Sequence, residues 1–166
     1  RILNFVKSNY IIMKRSVLIA IIFSLLLAAC GDRMAFKQYK TFENTSWNRF
    51  DILLFEVPVK AGDYLDFKLA LRHHTYFPYD YLDANITFYS PGGEMRTAEY
   101  HFKLKDKNGN WKANGMGELW DIELPIRDSL YFSKDGICKV RVENKMTKIE
   151  TPGIVEVGLI VTQDEK

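Results

Sequence analysis

Side chains able to do chemistry are few here: two cysteines and three histidines in 166 residues. Cys30 ends the apolar run of "LLLAACGDR" (25–33), where the chain turns polar at once. A thiol in that place can pack in a core, pair in a disulfide, or be covalently modified. Cys138, in "GICKVRVE", shares parity with Val140 and Val142, opposite Lys139, Arg141 and Glu143. It reads as a buried thiol acting as a small apolar residue. His73 and His74 are adjacent, so on a strand they point to opposite faces and cannot join one metal site. His101 points outward from its own strand, and zinc needs three or four converging ligands. "DKNGN" (106–110) faintly resembles a calcium loop, but Gly109 is fourth and Gly117 twelfth, where an EF-hand needs Gly sixth and Glu twelfth. A hairpin fits it better. Ser46, Ser90, Ser129 and Ser133 lack a G-x-S-x-G setting. Asp80 and Asp83 read as loop carboxylates, although a glycosidase pair would meet only in the fold. No catalytic residue, metal or cofactor is expected, and no enzyme activity.

The residues before Cys30 decide among its three chemistries. Lys14 and Arg15 precede a run from Val17 to Ala29 in which Ser24 is the one polar residue. A basic start, an apolar middle and small residues at the end form a secretory signal peptide. Ser16 to Ala29 would make a helix of about 21 Å, short of the roughly 30 Å hydrocarbon core. Leu27-Ala28-Ala29-Cys30 resembles a bacterial lipobox. In signals of that kind the thiol is joined to diacylglycerol and the chain is cut just before it. Cys30 is then the first mature residue and the site of lipidation, which leaves Cys138 without a disulfide partner. Residues 1–12 read as an upstream extension, 13–29 as the lipoprotein signal peptide, 30–46 as a lipidated tether and 47–166 as the folded domain.

Removing 29 residues from the 166 leaves a mature chain of 137, enough for one domain with a real core. Of the 23 basic and 21 acidic residues, four basic and no acidic ones precede Cys30, so the mature net charge is −2. Nucleic acid binding would need a concentrated basic face. "KLKDKNGNWK" has its lysines interrupted by Asp106 at a turn, so no nucleic acid partner is expected.

The positioning elements read as strands. Residues 31–46 show no clear period. After Trp47 the pattern alternates with period two. Leu65, Phe67, Leu69 and Leu71 share one face, as do Leu82, Ala84, Ile86 and Phe88. Tyr100, Phe102 and Leu104 form a third set, and Val155, Val157, Leu159 and Val161 a fourth. "FDILLFEVPV" is apolar on both faces and predicts a central or fully covered strand closing near Pro58. "ELWDIELPI" and "CKVRVEN" add two more. Lys60-Ala61-Gly62-Asp63 and Ser90-Pro91-Gly92-Gly93 are turns, and Asn108-Gly109 predicts a type I′ hairpin. A single helical turn fits Lys145 to Glu150. The fold class is therefore all-β: an antiparallel β-sandwich, jelly-roll or immunoglobulin-like, of about seven to eight strands, preceded by a signal peptide and short tether.

One region is rich in the residue types that anchor binding surfaces. In "LRHHTYFPYDYLD", Arg72, Tyr76, Phe77, Tyr79 and Tyr81 surround Pro78. The rings serve either as a partner-binding surface or as a cap on one end of the sandwich. Arg72, Tyr76, Tyr79 and Trp111 are the candidate partner-binding residues. A glycan is the alternative ligand, since aromatic loops suit stacking on sugars.

"LALRHHTYFPYDYLDANITFYSPGGE", "LKDKNGNWKANGMGELWDIELPI" and "VRVENKMTKIETPGIVEVGLIV" resemble the gliding motility lipoprotein GldH family of Bacteroidetes-type bacteria. The resemblance spans roughly Trp47 to Thr162. It rests on Arg72, His73, Tyr76, Pro78 and Tyr79, on Asp106, Gly109, Trp111, Gly115 and Gly117, and on Met146, Pro152, Gly153, Ile154, Val157, Gly158 and Leu159. Thr147 departs from it, standing where the family carries arginine. The resemblance implies an accessory lipoprotein of gliding or allied envelope machinery, with no assigned catalytic residues and with other envelope proteins as partners. It also implies attachment to the outer membrane through lipidated Cys30. Gly31-Asp32-Arg33 carries no acidic cluster to mark surface export, so either the periplasm or the medium can surround the domain.

Overall fold

Alternating apolar side chains build two sheets whose inner faces meet. The computed structural model describes residues 34–164, so the expected upstream extension, signal peptide and lipidation site at Cys30 lie outside the described residues. Eleven strands follow in order: β1 Met34–Thr41, β2 Ser46–Asn48, β3 Leu53–Val59, β4 Tyr64–His74, β5 Tyr81–Tyr89, β6 Met95–Lys103, β7 Asn114–Met116, β8 Leu119–Tyr131, β9 Gly136–Asn144, β10 Glu150–Pro152 and β11 Ile154–Gln163. There is no helix among the described residues, and Lys145 to Glu150 leads into β10 rather than a helical turn. Four of these strands were not expected as such: β1 and the three-residue β2, β7 and β10.

One sheet has the order β1-β11-β4-β8-β7 and the other β3-β9-β5-β6, with β10-β2 as a small ribbon. The eight long strands are nested: β1 pairs β11, β3 pairs β9, β4 pairs β8, and β5 pairs β6, all antiparallel. First with last, second with seventh, third with sixth and fourth with fifth is the winding of a jelly roll. It excludes the immunoglobulin-like alternative. Leu65, Phe67, Leu69 and Leu71 of β4 are buried against Leu82, Ala84, Ile86 and Phe88 of β5. Phe67 and Phe88 meet edge to face across the two layers, with centroids 5.1 Å apart.

Two sequence expectations need correction. Met34–Thr41, assigned to the tether, is an edge strand in register with β11 from Phe36–Val161 to Thr41–Glu156. Its side chains are almost all exposed, so backbone hydrogen bonds hold it and no apolar period betrays it. Phe42, also placed in the tether, is buried and stacks on Trp47 at 5.8 Å. The second correction is β3, which lies at a sheet edge and alternates cleanly. Leu53, Phe55, Val57 and Val59 face in, while Leu54, Glu56 and Pro58 face out. Pro58 pairs with Ile137, as an edge strand allows, and the strand closes one residue later at Val59, near Pro58 as expected. Cys138 is buried among the same inward residues, and burial pushes its thiol up to about 11.

The edge position of β3 is open to test. Phe55→Ala should cost about 3–5 kcal/mol by denaturant unfolding, the usual loss for a buried phenylalanine. Leu54→Ser, one residue away, should change stability by no more than about 0.5 kcal/mol. Equal losses would mean that both faces of β3 are covered.

Candidate functional site

Antiparallel nesting sends every long connection to one end of the sandwich. Residues 42–52, 75–80, 104–118 and 145–153 join strands there, whereas 60–63, 90–94 and 132–135 make short turns at the other end. The candidate residues belong to the long-loop end. His73, at the tip of β4, points inward and is fully buried. Its Nδ1–H donates to the His74 carbonyl at 3.1 Å, which fixes the neutral tautomer and leaves Nε2 without a protein partner. Burial lowers its pKa. The ring packs on Trp111 at 4.4 Å and on Phe77 at 5.5 Å.

From His73 a chain of rings crosses this end. Phe77 meets Tyr79 at 5.6 Å, Tyr79 meets Tyr81 at 6.0 Å, and Tyr81 stacks on His101 at 4.9 Å. Lys105 Nζ lies 4.1 Å from the centroid of Trp111, a cation–π contact. Trp111 and Tyr79 are therefore brought together, but as packing residues. Their rings are not free platforms for a sugar.

Tyr76 and Arg72 lie elsewhere. Tyr76 is 57 % exposed and packs on His74, whose Nε2 is 3.2 Å from Glu118. Arg72 sits on the outer face of β4. Nε and Nη2 donate to the two oxygens of Asp121 at 2.7 and 3.1 Å, and Nη1 donates to Glu156 at 3.0 Å. The hydrogen bond to Asp121 is the chief cause of its raised pKa. Arg72 lines an open groove of about 580 Å³ with Lys37, Tyr39, Lys112, Asp121 and Glu123. The four expected binding residues thus do not form one surface.

The turn after β6 also differs from expectation. Gly109 takes φ +81°, but Asn108 does not have positive φ, so the turn is not type I′. Asp106 N donates to the Asn110 carbonyl and Gly109 N to the Asp106 carbonyl, leaving a three-residue loop with one left-handed glycine. The Asp106 carboxylate accepts from Asn110 N and Asn108 N, and these bonds hold its pKa below the ordinary value.

Exposed apolar groups that the sequence did not single out lie close by. Met116 is 92 % exposed and pairs with Leu119, which in turn pairs with His74 beside Tyr76. On the opposite flank Phe50, Ile52 and Ile149 are exposed. The clue to Met116 was its place between Gly115 and Gly117 in a hairpin, where nothing covers a side chain. No group of three or more His, Cys, Asp or Glu is arranged to hold a metal among the described residues.

Comparison with known proteins adds three findings. A family model described as GldH lipoprotein matches residues 34–161. The gliding motility lipoprotein GldH homolog of Christiangramia forsetii is 21% identical over 158 residues, covering 90% of this chain and 96% of that protein. Among solved structures, a chain of the infectious bursal disease virus Gx strain aligns at 12% identity with a TM-score of 0.27. That alignment covers 81% of this chain and about a third (35%) of the viral one.

His73 sets a pH dependence. Its folded pKa lies below the ordinary 6.5, so under acid the unfolded chain takes up a proton that the folded chain refuses. The stabilisation is present above the unfolded pKa and is lost as pH falls towards the folded one. The drop in urea midpoint between about pH 7.5 and about pH 5.5 should shrink in His73→Phe. An unchanged drop would show that His73 does not contribute to it.

Proposed function

The chain belongs to the GldH lipoprotein family, and on that premise we propose that it is an acylated envelope lipoprotein working as an adaptor in gliding or allied machinery. The family match covers most of the folded domain and every stretch that carries the resemblance. Cys30 is the proposed acylation site. Buried acyl chains contribute about 0.8 kcal/mol per CH₂, and more than one chain gives stable attachment.

The single observation that carries the adaptor role is the polarity of the sandwich. β1 starts at Met34, four residues after Cys30, and runs away from that point towards the long loops. Four residues span at most about 14 Å, and eight residues of β1 add about 26 Å at roughly 3.3 Å each. The long loops are thereby held out from the bilayer at high local concentration for a partner. Tyr76, Met116 and Leu119 form the contact patch: exposed, apolar, and mounted on paired strands. The outer membrane is the proposed bilayer. Because Trp111 and Tyr79 are committed to packing, protein contact fits this end better than sugar stacking.

Cross-linking in intact cells followed by purification tests both parts. Wild type should fractionate with membranes and capture a defined envelope protein. Cys30→Ser should move most of the chain to the aqueous fraction. Tyr76→Ala with Met116→Ser should keep the anchor and the unfolding midpoint but lower the captured partner at least several-fold. Full capture by that double variant would overturn the patch, and an aqueous wild type would overturn the anchor.

A further inference from the structure

The long-loop end is not the only one with exposed apolar side chains. Around the short-turn end lie Met34 at the start of β1, Tyr64 at the start of β4, Tyr131 at the end of β8, Tyr89 at the end of β5, Met95 at the start of β6 and Ile137, the second residue of β9. Their exposures run from 36 % for Tyr89 to 65 % for Met95. Tyr64 pairs with Tyr131 and their rings lie 5.0 Å apart, on the outer face of one sheet. Tyr89 pairs with Met95 and shares outward parity with Ile137 on the other sheet. Further from this end the outer faces turn polar: Asp66, Lys68 and Arg72 on β4, Asp83, Asn85 and Thr87 on β5.

We infer that this collar is a membrane seat, entering the headgroup layer of a phospholipid bilayer around the acyl anchor. The inference rests on acylation at Cys30, as proposed above. Chain length names the occupant. With three residues between Cys30 and Met34, Met34 at this end lies within about 14 Å of the acylated residue. A folded partner domain of about 100 residues has a radius of gyration near 13 Å and does not fit in that gap. Tyrosine is suited to the interface, because its ring is apolar and its hydroxyl stays with water and headgroups.

The turns at this end match the same surface. They carry Lys60 and Lys134 against Asp63, Glu94 and Asp135, so no basic patch draws them to anionic lipid. Asp63 accepts from Lys60 N at 2.8 Å and Asp135 from Ala61 N at 2.7 Å, so those carboxylates serve the turn backbones. Seating therefore depends on apolar contact, and it occurs on zwitterionic bilayers and persists in high salt.

The test uses the acylated full-length protein in phosphatidylethanolamine–phosphatidylcholine vesicles containing nitroxide-labelled lipid. A bimane fluorophore is placed on Ser133→Cys, at the collar, or on Met116→Cys, at the far end; buried Cys138 stays unlabelled. Quenching should be several-fold stronger at position 133 than at 116, and equal at low and high salt. Tyr131→Ser with Met95→Ser should lower it at 133 while the mass of the Cys30 peptide still shows acylation. Acylated protein with equal quenching at the two sites, or none at 133, overturns the seat and leaves the anchor standing. An unmodified Cys30 peptide overturns both.

Discussion

Between Phe36 and Thr41, β1 lies antiparallel to β11, and this contact is made almost wholly by backbone. β11 is buried along most of its length and has β4 on its other side. Without β1 it would be an open, apolar edge, the kind that pairs with other chains. A close approach helps to hold the contact. A Cβ on Gly158 would come within 2.4 Å of Tyr39 Cδ1, so the Tyr39 ring rests where a side chain would stand. Closing first strand on last also brings the start of β1 and the end of β11 together at the short-turn end.

The other end is held by a small polar network under the rings. Asn144 is buried, donates to the Trp47 carbonyl at 3.0 Å and to Thr151 Oγ1 at 2.9 Å, and accepts from Met146 N at 2.9 Å. Gly153 N donates to the Thr45 carbonyl, and His74 N donates to that of Gly153. The connections at 42–52 and 145–153 are tied together and to the end of β4 in this way, while Thr75 N to the Glu118 carbonyl and Leu104 N to the Asp80 carbonyl tie 75–80 to 104–118. The residues that carry the family resemblance recur among these ties: Arg72 to Asp121 and Glu156, His73 to Trp111, Met146 and Gly153. His73, Met146 and Gly153 help to build this end of the sandwich, while Arg72 braces the outer face of β4.

The strands with one wet face were legible because period two is a direct image of burial. β4 and β5 read correctly from Leu65 to Leu71 and from Leu82 to Phe88. β1 was not legible, since edge pairing through the backbone leaves side chains free to be anything. β3 misled through Leu54, an outward leucine that filled the polar phase of the pattern. The candidate site was half legible. Composition located the aromatic end but left its rings open between a binding surface and a cap, because ring-to-ring contact is a property of the folded chain; Tyr79 and Trp111 are partly buried and packed against the core. Arg72 read as a free anchor because its two carboxylates, Asp121 and Glu156, are distant in sequence.

Rigid loops change what recognition at this end costs. Aromatic pairs contribute about 0.5–1.5 kcal/mol each beyond their buried area, and the chain from Trp111 through His73, Phe77, Tyr79 and Tyr81 to His101 makes several. A ligand that needed any of these rings would have to break contacts to reach it. The rim residues Tyr76, Met116 and Leu119 carry no such penalty, because they are already solvent-exposed. They are also preset by Thr75 N to the Glu118 carbonyl and by Trp120 Nε1 to Thr75 Oγ1. A partner landing there orders little, and preorganisation of that kind lets a small patch hold a partner that a mobile loop of the same composition would not.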